Sequence, residues 1–294
     1  MKILTLDVGG TEIKSALLSN EKIENYNESP SDGKLGGPYV LQNIINIIDS
    51  YQNHYDAIGI STAGQVDSEQ GIIIYANDNI PNYTGTKLKE IIQNKYHKPV
   101  FIENDVNAAA IGEGALGAGK NERDFLCLTY GTGIGGAIII NKKVYKGSSG
   151  VAGEMGHIIT HPNGRRCGCG HQGCYEQYAS TTSLIQEAMK LDKDIVNGRI
   201  LFSRIFHNEK AVKTILDEWI DEVILGLVNL IHIFNPSCIV MGGGILVQPY
   251  IIEAINEKIS DKLIESFRHV KITAAQLGNQ AGLYGMGEIV KINS

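Results

Sequence analysis

Two stretches of this chain, Leu4–Leu18 and Leu126–Ile140, share one pattern without a gap. The first reads L-T-L-D-V-G-G-T-E-I-K-S-A-L-L and the second L-C-L-T-Y-G-T-G-I-G-G-A-I-I-I, so Gly9 falls on Gly131 and the apolar residues superimpose. Each is an apolar strand, a glycine-rich turn and a second apolar strand, the signature of a β-hairpin. The copies lie about 120 residues apart, which predicts two similar lobes facing each other across a cleft. The second carries Thr129 where the first has Asp7, an asymmetry that suits a site in which one lobe alone supplies a carboxylate. Two unrelated hairpins would produce the same pattern, and that reading stands beside the first.

Between and after the hairpins, strands alternate with helices. Pro38, Leu41, Ile44, Ile45 and Ile48 have helical spacing. Ala57–Ile60 and Pro99–Ile102 read as short buried strands. Asn104 and Asp105 open a helix that runs through Ala108, Ala109 and Ala110. A long amphipathic helix over 211–234 stops before Asn235-Pro236, and Cys238–Met241 is a buried strand leading into Gly242-Gly243-Gly244. This alternation predicts an α/β protein.

The glycine turns suit phosphate. Gly9 and Gly10 let the backbone approach phosphate oxygens and present N–H donors. Thr11 and Lys14 add a hydroxyl and a charge, and Asp7 on the preceding strand is placed to hold hydrated Mg²⁺. The same residues also suit a plain glycine turn closed by an Asp side chain. Gly131-Thr132-Gly133 repeats the device, and Gly242-Gly243-Gly244 offers a flat backbone surface for a purine, or a simple strand-to-helix turn. The formal net charge of −6 excludes general nucleic-acid binding, which needs a basic face. It leaves an anionic nucleotide allowed, because backbone N–H groups supply local positive potential.

Glu103-Asn104-Asp105 follows a strand, where ligands of α/β sheets bind. Asn104 can hydrogen-bond a sugar hydroxyl. Asp105 can accept the proton of an attacking hydroxyl, as the catalytic carboxylate of other phosphotransferases does, or it can merely cap the helix. His157-x9-Cys167-x-Cys169-x4-Cys174 supplies one imidazole and three thiolates, a closed tetrahedral set for structural Zn²⁺, with iron as the chemical rival. Glu154 and Glu176 flank it, so a metal that fixes this loop also fixes two acceptors for sugar hydroxyls. The remaining histidines show no partner spacing and read as surface or core residues. Trp219 reads as packing or a subunit contact, and Cys127 and Cys238 as buried and inert. The N-terminus carries no signal peptide and no stretch reaches the ~20 apolar residues of a membrane span. The expected compartment is the cytoplasm, with no membrane partner.

Taken together these motifs resemble the ROK family (repressors, open reading frames and kinases), within the hexokinase, actin and Hsp70 superfamily. The likeness rests on Asp7-Val8-Gly9-Gly10-Thr11, Ser61-x-x-Gly64-x-Val66-Asp67, Asn79-Ile80-Pro81, Glu103-Asn104-Asp105-x-Asn107-Ala108, Gly131-Thr132-Gly133-x-Gly135-Gly136, Glu154-x-Gly156-His157 and Cys167-x-Cys169-Gly170-x-x-Gly173-Cys174-x-Glu176. The resemblance implies two ribonuclease H-like lobes of the actin-like ATPase fold. Residues 1–116 with about 281–294, a returning last helix, form the smaller lobe. Residues 117–280 form the larger one, which carries the zinc loop.

The resemblance also implies an ATP-dependent sugar kinase acting on a hexose hydroxyl, the 6-hydroxyl foremost, with Asp105 as general base. Sugar falls to Gly64, Asn77, Asn104, Glu154, His157 and Glu176, with His157 giving one ring nitrogen to zinc and the other to a sugar hydroxyl. ATP phosphates fall to Gly9, Gly10, Thr11, Thr132 and Gly133, and adenosine to Gly243 and Gly244. Glucose, N-acetylmannosamine and a β-glucoside such as cellobiose all fit. Gln65 stands where some N-acetylmannosamine kinases have Arg, and Gln280 where many members have Asp or Glu. The family favours homodimers. Its sugar-responsive repressors carry a helix-turn-helix before the first hairpin; here the hairpin begins at Ile3, which predicts an enzyme.

Overall fold

The computed structural model describes residues 1–52, 54–207 and 209–294, and the chain divides into two compact units. The first comprises Met1–Asn121, Lys142–Ala152 and Gln276–Ser294; the second comprises Glu122–Asn141 and Gly153–Ala275.

In the first unit, β1 (Ile3–Val8), β2 (Glu12–Ser19) and β3 (Lys22–Pro30) are followed by α1 (Gly37–Ser50), β4 (Ala57–Thr62), β5 (Gln65–Asp67) and β6 (Ile72–Tyr75). Then come α2 (Leu88–Tyr96), β7 (Val100–Asn104) and α3 (Asp105–Leu116). The main sheet runs β3-β2-β1-β4-β7. The hairpin β1–β2 is antiparallel, with Asp7 opposite Lys14, and β1, β4 and β7 are parallel. Parallel strands bury both faces, which is why β4 reads as an unbroken small and apolar run. Leu4, Leu6, Val8, Ile58 and Ile60 form one core with Val40, Ile44 and Ile48 of α1. Truncating one of these to Ala would cost about 2–5 kcal/mol. The last helix of the chain returns to this unit and packs on α3, so closely that a Cβ on Gly285 would lie 1.8 Å from the Ala108 carbonyl oxygen.

The second unit begins with β8 (Phe125–Tyr130) and β9 (Ile134–Ile140); β10 (Lys143–Val144) then belongs to the first unit. Next come α4 (Glu176–Ala179), α5 (Thr181–Leu191), α6 (Gly198–Phe206), α7 (Lys210–Phe234), β11 (Cys238–Gly242), α8 (Pro249–Ile259) and β12 (Lys271–Ala274). The returning helix is α9 (Ala281–Asn293). Within the second unit the strands lie in the order β9-β8-β11-β12. The hairpin β8–β9 is antiparallel, while β8, β11 and β12 are parallel. Each unit is therefore built on a hairpin followed by two parallel strands, the relationship that the repeated sequence pattern implies.

The long helix α7 buries Leu216, Ile220, Val223, Leu227 and Ile231, a stripe at helical spacing. It ends at Asn235 in the left-handed conformation, directly before Pro236, as read from the sequence. Trp219 is packing: it is buried and donates from Nε1 to the Ser180 carbonyl at 3.0 Å. Cys127 and Cys238 are buried in their strands. Among the described residues no helix is long and apolar enough to cross a membrane.

Candidate active site

Asp7 is the penultimate residue of β1, beside the turn that carries Gly9 and Gly10. The turn closes with Gly9 N–H on the Glu12 carbonyl at 2.9 Å. Asp7 accepts a hydrogen bond from Ser61 Oγ at 2.8 Å and faces Lys14 Nζ at 3.7 Å. Burial pushes its carboxyl above the usual range, and Lys14 and Ser61 oppose that shift. Gly282, near the start of α9, abuts the same carboxyl, since a Cβ there would lie 3.0 Å from Asp7 Oδ1. Ser61 lay within the quoted motif, but its contact with Asp7 and the approach of Gly282 come from strand pairing and the returning helix, which no local pattern reveals.

Asn104 is the cap of α3, accepting from Val106 N–H at 2.9 Å and Asn107 N–H at 3.0 Å. Its Nδ2 donates to the Gly64 carbonyl and to Asp105 Oδ1, each at 2.9 Å. Gly64, Asn104 and Asp105 are thus brought together, and the Asn104 amide is fully engaged within the protein. Asp105 is the first helical residue and not the cap. Its carboxyl is crowded by surrounding protein and lies near the charge of Asp7, which together raise it to about 7 against weaker opposing hydrogen bonds from backbone and Asn104. Asn77 is exposed, and its side chain accepts from Asn79 N–H at 3.0 Å.

In the second unit, Gly131 and Thr132 line a cavity of about 1000 Å³ walled by α5, α6 and the loop after β11. Ile185, Met189, Val196, Phe202 and Ile245 supply apolar walls, and Gln186, Asn197 and Arg199 supply polar groups. The two glycines assigned to adenosine differ in kind. Gly244 lines the cavity. Gly243 has φ +124° and a Cβ there would lie 2.2 Å from the Tyr130 carbonyl oxygen, so backbone packing alone demands glycine. The α5 and α6 residues were missed because neither helix carries a recognised ligand spacing, and Gly198-Arg199 stands alone at the head of α6.

His157, Cys167, Cys169 and Cys174 converge, with their four donor atoms all within 4.8 Å of one another. Cys169 Sγ and Cys174 Sγ are 3.5 Å apart and His157 Nδ1 is 3.7 Å from Cys167 Sγ. Tetrahedral zinc with Zn–S of about 2.3 Å sets its sulfurs ~3.8 Å apart, and a disulfide would need about 2.05 Å. The set fits a structural zinc, and these four residues could hold one. Glu176 Oε1 is 3.9 Å from His157 Nδ1, and Glu154 Oε2 is 3.9 Å from His157 Nε2. The two carboxylates therefore sit against the two ring nitrogens. His161, read as partnerless from spacing, stacks on Tyr178 at 3.9 Å between ring centroids and faces Glu222 at 3.5 Å.

The profile of the ROK family matches residues 3–292. The chain belongs to the ROK family. A glucokinase of Thermotoga maritima is 30% identical over 310 residues, covering 99% of this chain and 98% of that protein. An N-acetylmannosamine kinase of Haemophilus influenzae is 28% identical over 298 residues, covering 99% and 96%. Among solved structures, a ROK family glucokinase from Streptomyces griseus in complex with glucose and AMPPNP superimposes with a TM-score of 0.87 at 30% identity, covering 98% of this chain and 99% of that one. The fold is accordingly the actin-like ATPase fold of ROK kinases.

Proposed function

We propose that this ROK protein is an ATP-dependent sugar kinase that phosphorylates a hexose hydroxyl, the 6-hydroxyl foremost, with Asp105 as general base. The observation that carries the assignment of the base is the Asp105 carboxyl, raised to about 7 and held by Asn104 at the head of α3. A base that titrates near the working pH is best matched to proton transfer. As the sugar oxygen attacks the γ-phosphorus and the bond to ADP breaks, the hydroxyl proton passes to Asp105. Magnesium carried in with ATP neutralises phosphate charge, and Asp7, with Lys14 beside it, is the residue that would hold the hydrated ion.

Gly9, Gly10, Thr11, Thr132 and Gly133 serve the phosphates through backbone N–H groups and hydroxyls. The apolar cavity beside Gly244 takes the adenosine. Gly64, Asn77, Glu154, His157 and Glu176 serve the sugar, with Asn104 acting chiefly by holding Asp105 and Gly64. Zinc held by His157, Cys167, Cys169 and Cys174 would be a scaffold, since four protein ligands would leave no position for reacting water. The relatives point to glucose and N-acetylmannosamine, and a β-glucoside such as cellobiose is the third candidate. We place the enzyme in the cytoplasm as a homodimer. Leu225 and Ile233, exposed on α7, support the dimer, and sedimentation tests it.

The deciding experiment is ADP release by the purified protein with ATP, magnesium and each of the three sugars. Turnover with one of them establishes the kinase and names the substrate. Sugar binding by calorimetry without ADP release from any of them would instead make the protein a sensor.

A further inference from the structure

Glu103 is the most buried carboxylate in any ion pair among the described residues, its side chain 5% exposed. It lies two residues before Asp105. Oε1 accepts from Asn104 N–H at 2.9 Å and from Asn107 Nδ2 at 3.1 Å. Oε2 accepts from Lys146 Nζ at 2.7 Å. The carboxylate thus sits under the turn that presents Asp105 and bonds the backbone and side chains on either side of it. Its charge is balanced by a lysine from a distant stretch, Lys142–Ala152, which packs with the first unit although the residues on both sides of it belong to the second. Lys146 also hydrogen-bonds Ser68 Oγ, just after β5. Its carbonyl accepts from Ala152 N–H at 3.2 Å, closing the loop that leads to Glu154 and His157.

We propose that Lys146 is a positioning residue for phosphoryl transfer: paired with Glu103, it holds the Asn104–Asp105 turn in place and balances the negative charge beneath it. The inference rests on Asp105 being the base. A buried carboxylate stays ionised only with a partner and satisfied hydrogen bonds. Without Lys146, Glu103 becomes an uncompensated charge, and the turn it organises must shift to reach water. Among charged groups, Asp7 on β1, with Lys14 opposite it on β2, acts on Asp105, while Glu103 lies two residues from it on β7 and is neutralised by Lys146. Deleting one member of the Glu103–Lys146 pair leaves the other's charge uncompensated two residues from Asp105, which should shift it in a direction fixed by the sign removed.

The test is the pH profile of kcat/KM for the sugar at saturating MgATP. Wild type should show an acid limb near 7, set by Asp105. Lys146→Met should lower kcat by about 10–10²-fold, the range for a displaced catalytic group. It should leave KM for ATP within about threefold and move the limb upward by about one unit. Glu103→Gln keeps an acceptor for Asn104 and Asn107, and should move the limb downward. The double variant should return it to the wild-type position. Should Lys146→Met fail to fold, the downward shift in Glu103→Gln still decides. Limbs unmoved by both single variants, or moved in the same direction, would overturn the proposal. A wild-type profile without the limb, or one retained in Asp105→Asn, would instead overturn Asp105 as base, which keeps the two failures apart.

Discussion

Asn104 Nδ2 donates to Asp105 Oδ1 at 2.9 Å while Asn104 Oδ1 caps α3. The cap rests on Asn104, with Asp105 Oδ1 sharing only the Val106 N–H at 2.9 Å, so substitutions at the two neighbours give separable outcomes. Asp105→Asn should leave the fold, ATP binding and sugar binding in place and lower kcat by ~10²–10⁴, the range for losing a general base. Asn104→Ala should cost ~1 kcal/mol of stability through the lost cap. Calorimetry and steady-state rates on the two proteins check this. A normal kcat in Asp105→Asn removes the residue from the chemistry.

The raised Asp105 carboxyl also makes a stability prediction. Folding favours its neutral form, so its contribution is fully present below the ordinary value of 3.8 and is lost as pH climbs through about 7. Wild type should therefore lose ground relative to Asp105→Asn between pH 4 and 7. At pH 8 the variant should be more stable by on the order of 1–2 kcal/mol, or about 2–5 °C in Tm, the usual return for relieving a strained site. Thermal melts at pH 4 and pH 8 check it, and equal differences at both would contradict the shift.

Gly10 tests the phosphate turn. A Cβ at this position would meet nothing nearer than Asn79 Cβ at 3.8 Å, so the protein itself has room for alanine. Gly10→Ala should melt within about 2 °C of wild type. It should weaken ATP binding by about tenfold or more, equivalent to one lost close N–H contact to a charged group. Calorimetry with AMPPNP gives the answer. Unchanged affinity would take this turn out of the phosphate site.

The hairpins, the long helix and the cysteine knot were legible because each carries its own local signal: a glycine turn between apolar strands, a stripe at helical spacing, a ligand set with fixed intervals. Gly243 shows the limit. Spacing groups it with Gly244, yet one is demanded by the Tyr130 backbone and the other borders a cavity. Ser61, Gly282 and Lys146 have functional neighbours only because distant segments are brought beside Asp7 and Glu103, and a pairing across 43 residues leaves no trace in local pattern. The cavity walls on α5 and α6 left no local motif for the same reason.

The metal set offers the sharpest separation of sugar from nucleotide. If His157, Cys167, Cys169 and Cys174 hold one zinc, the purified protein should contain about one equivalent per chain by elemental analysis, and Cys169→Ser should lose it. Zinc-finger peptides gain ~10–16 kcal/mol from such sites, coupled to their folding. In this chain the first unit has its own core and holds none of the four ligands. In the second, the apolar stripe of α7 and the buried strands supply a core of their own, which the loop joins through Tyr175 on Tyr130 and the Val223 carbonyl. Collapse should therefore be confined to the loop, with far-ultraviolet circular dichroism preserved. Glu154 and Glu176 both face the His157 ring at 3.9 Å, so losing the metal releases both carboxylates. KM for the sugar should rise about 10–10²-fold, the range for losing support of a metal-ordered site. KM for ATP should change less, because Gly9, Gly10 and Thr132 lie on hairpins outside the loop and only Gly133 borders Glu176, where a Cβ would lie 2.4 Å from Oε2. Equal losses for both substrates would mean general misfolding, and a metal-free protein with full activity would remove zinc from the account.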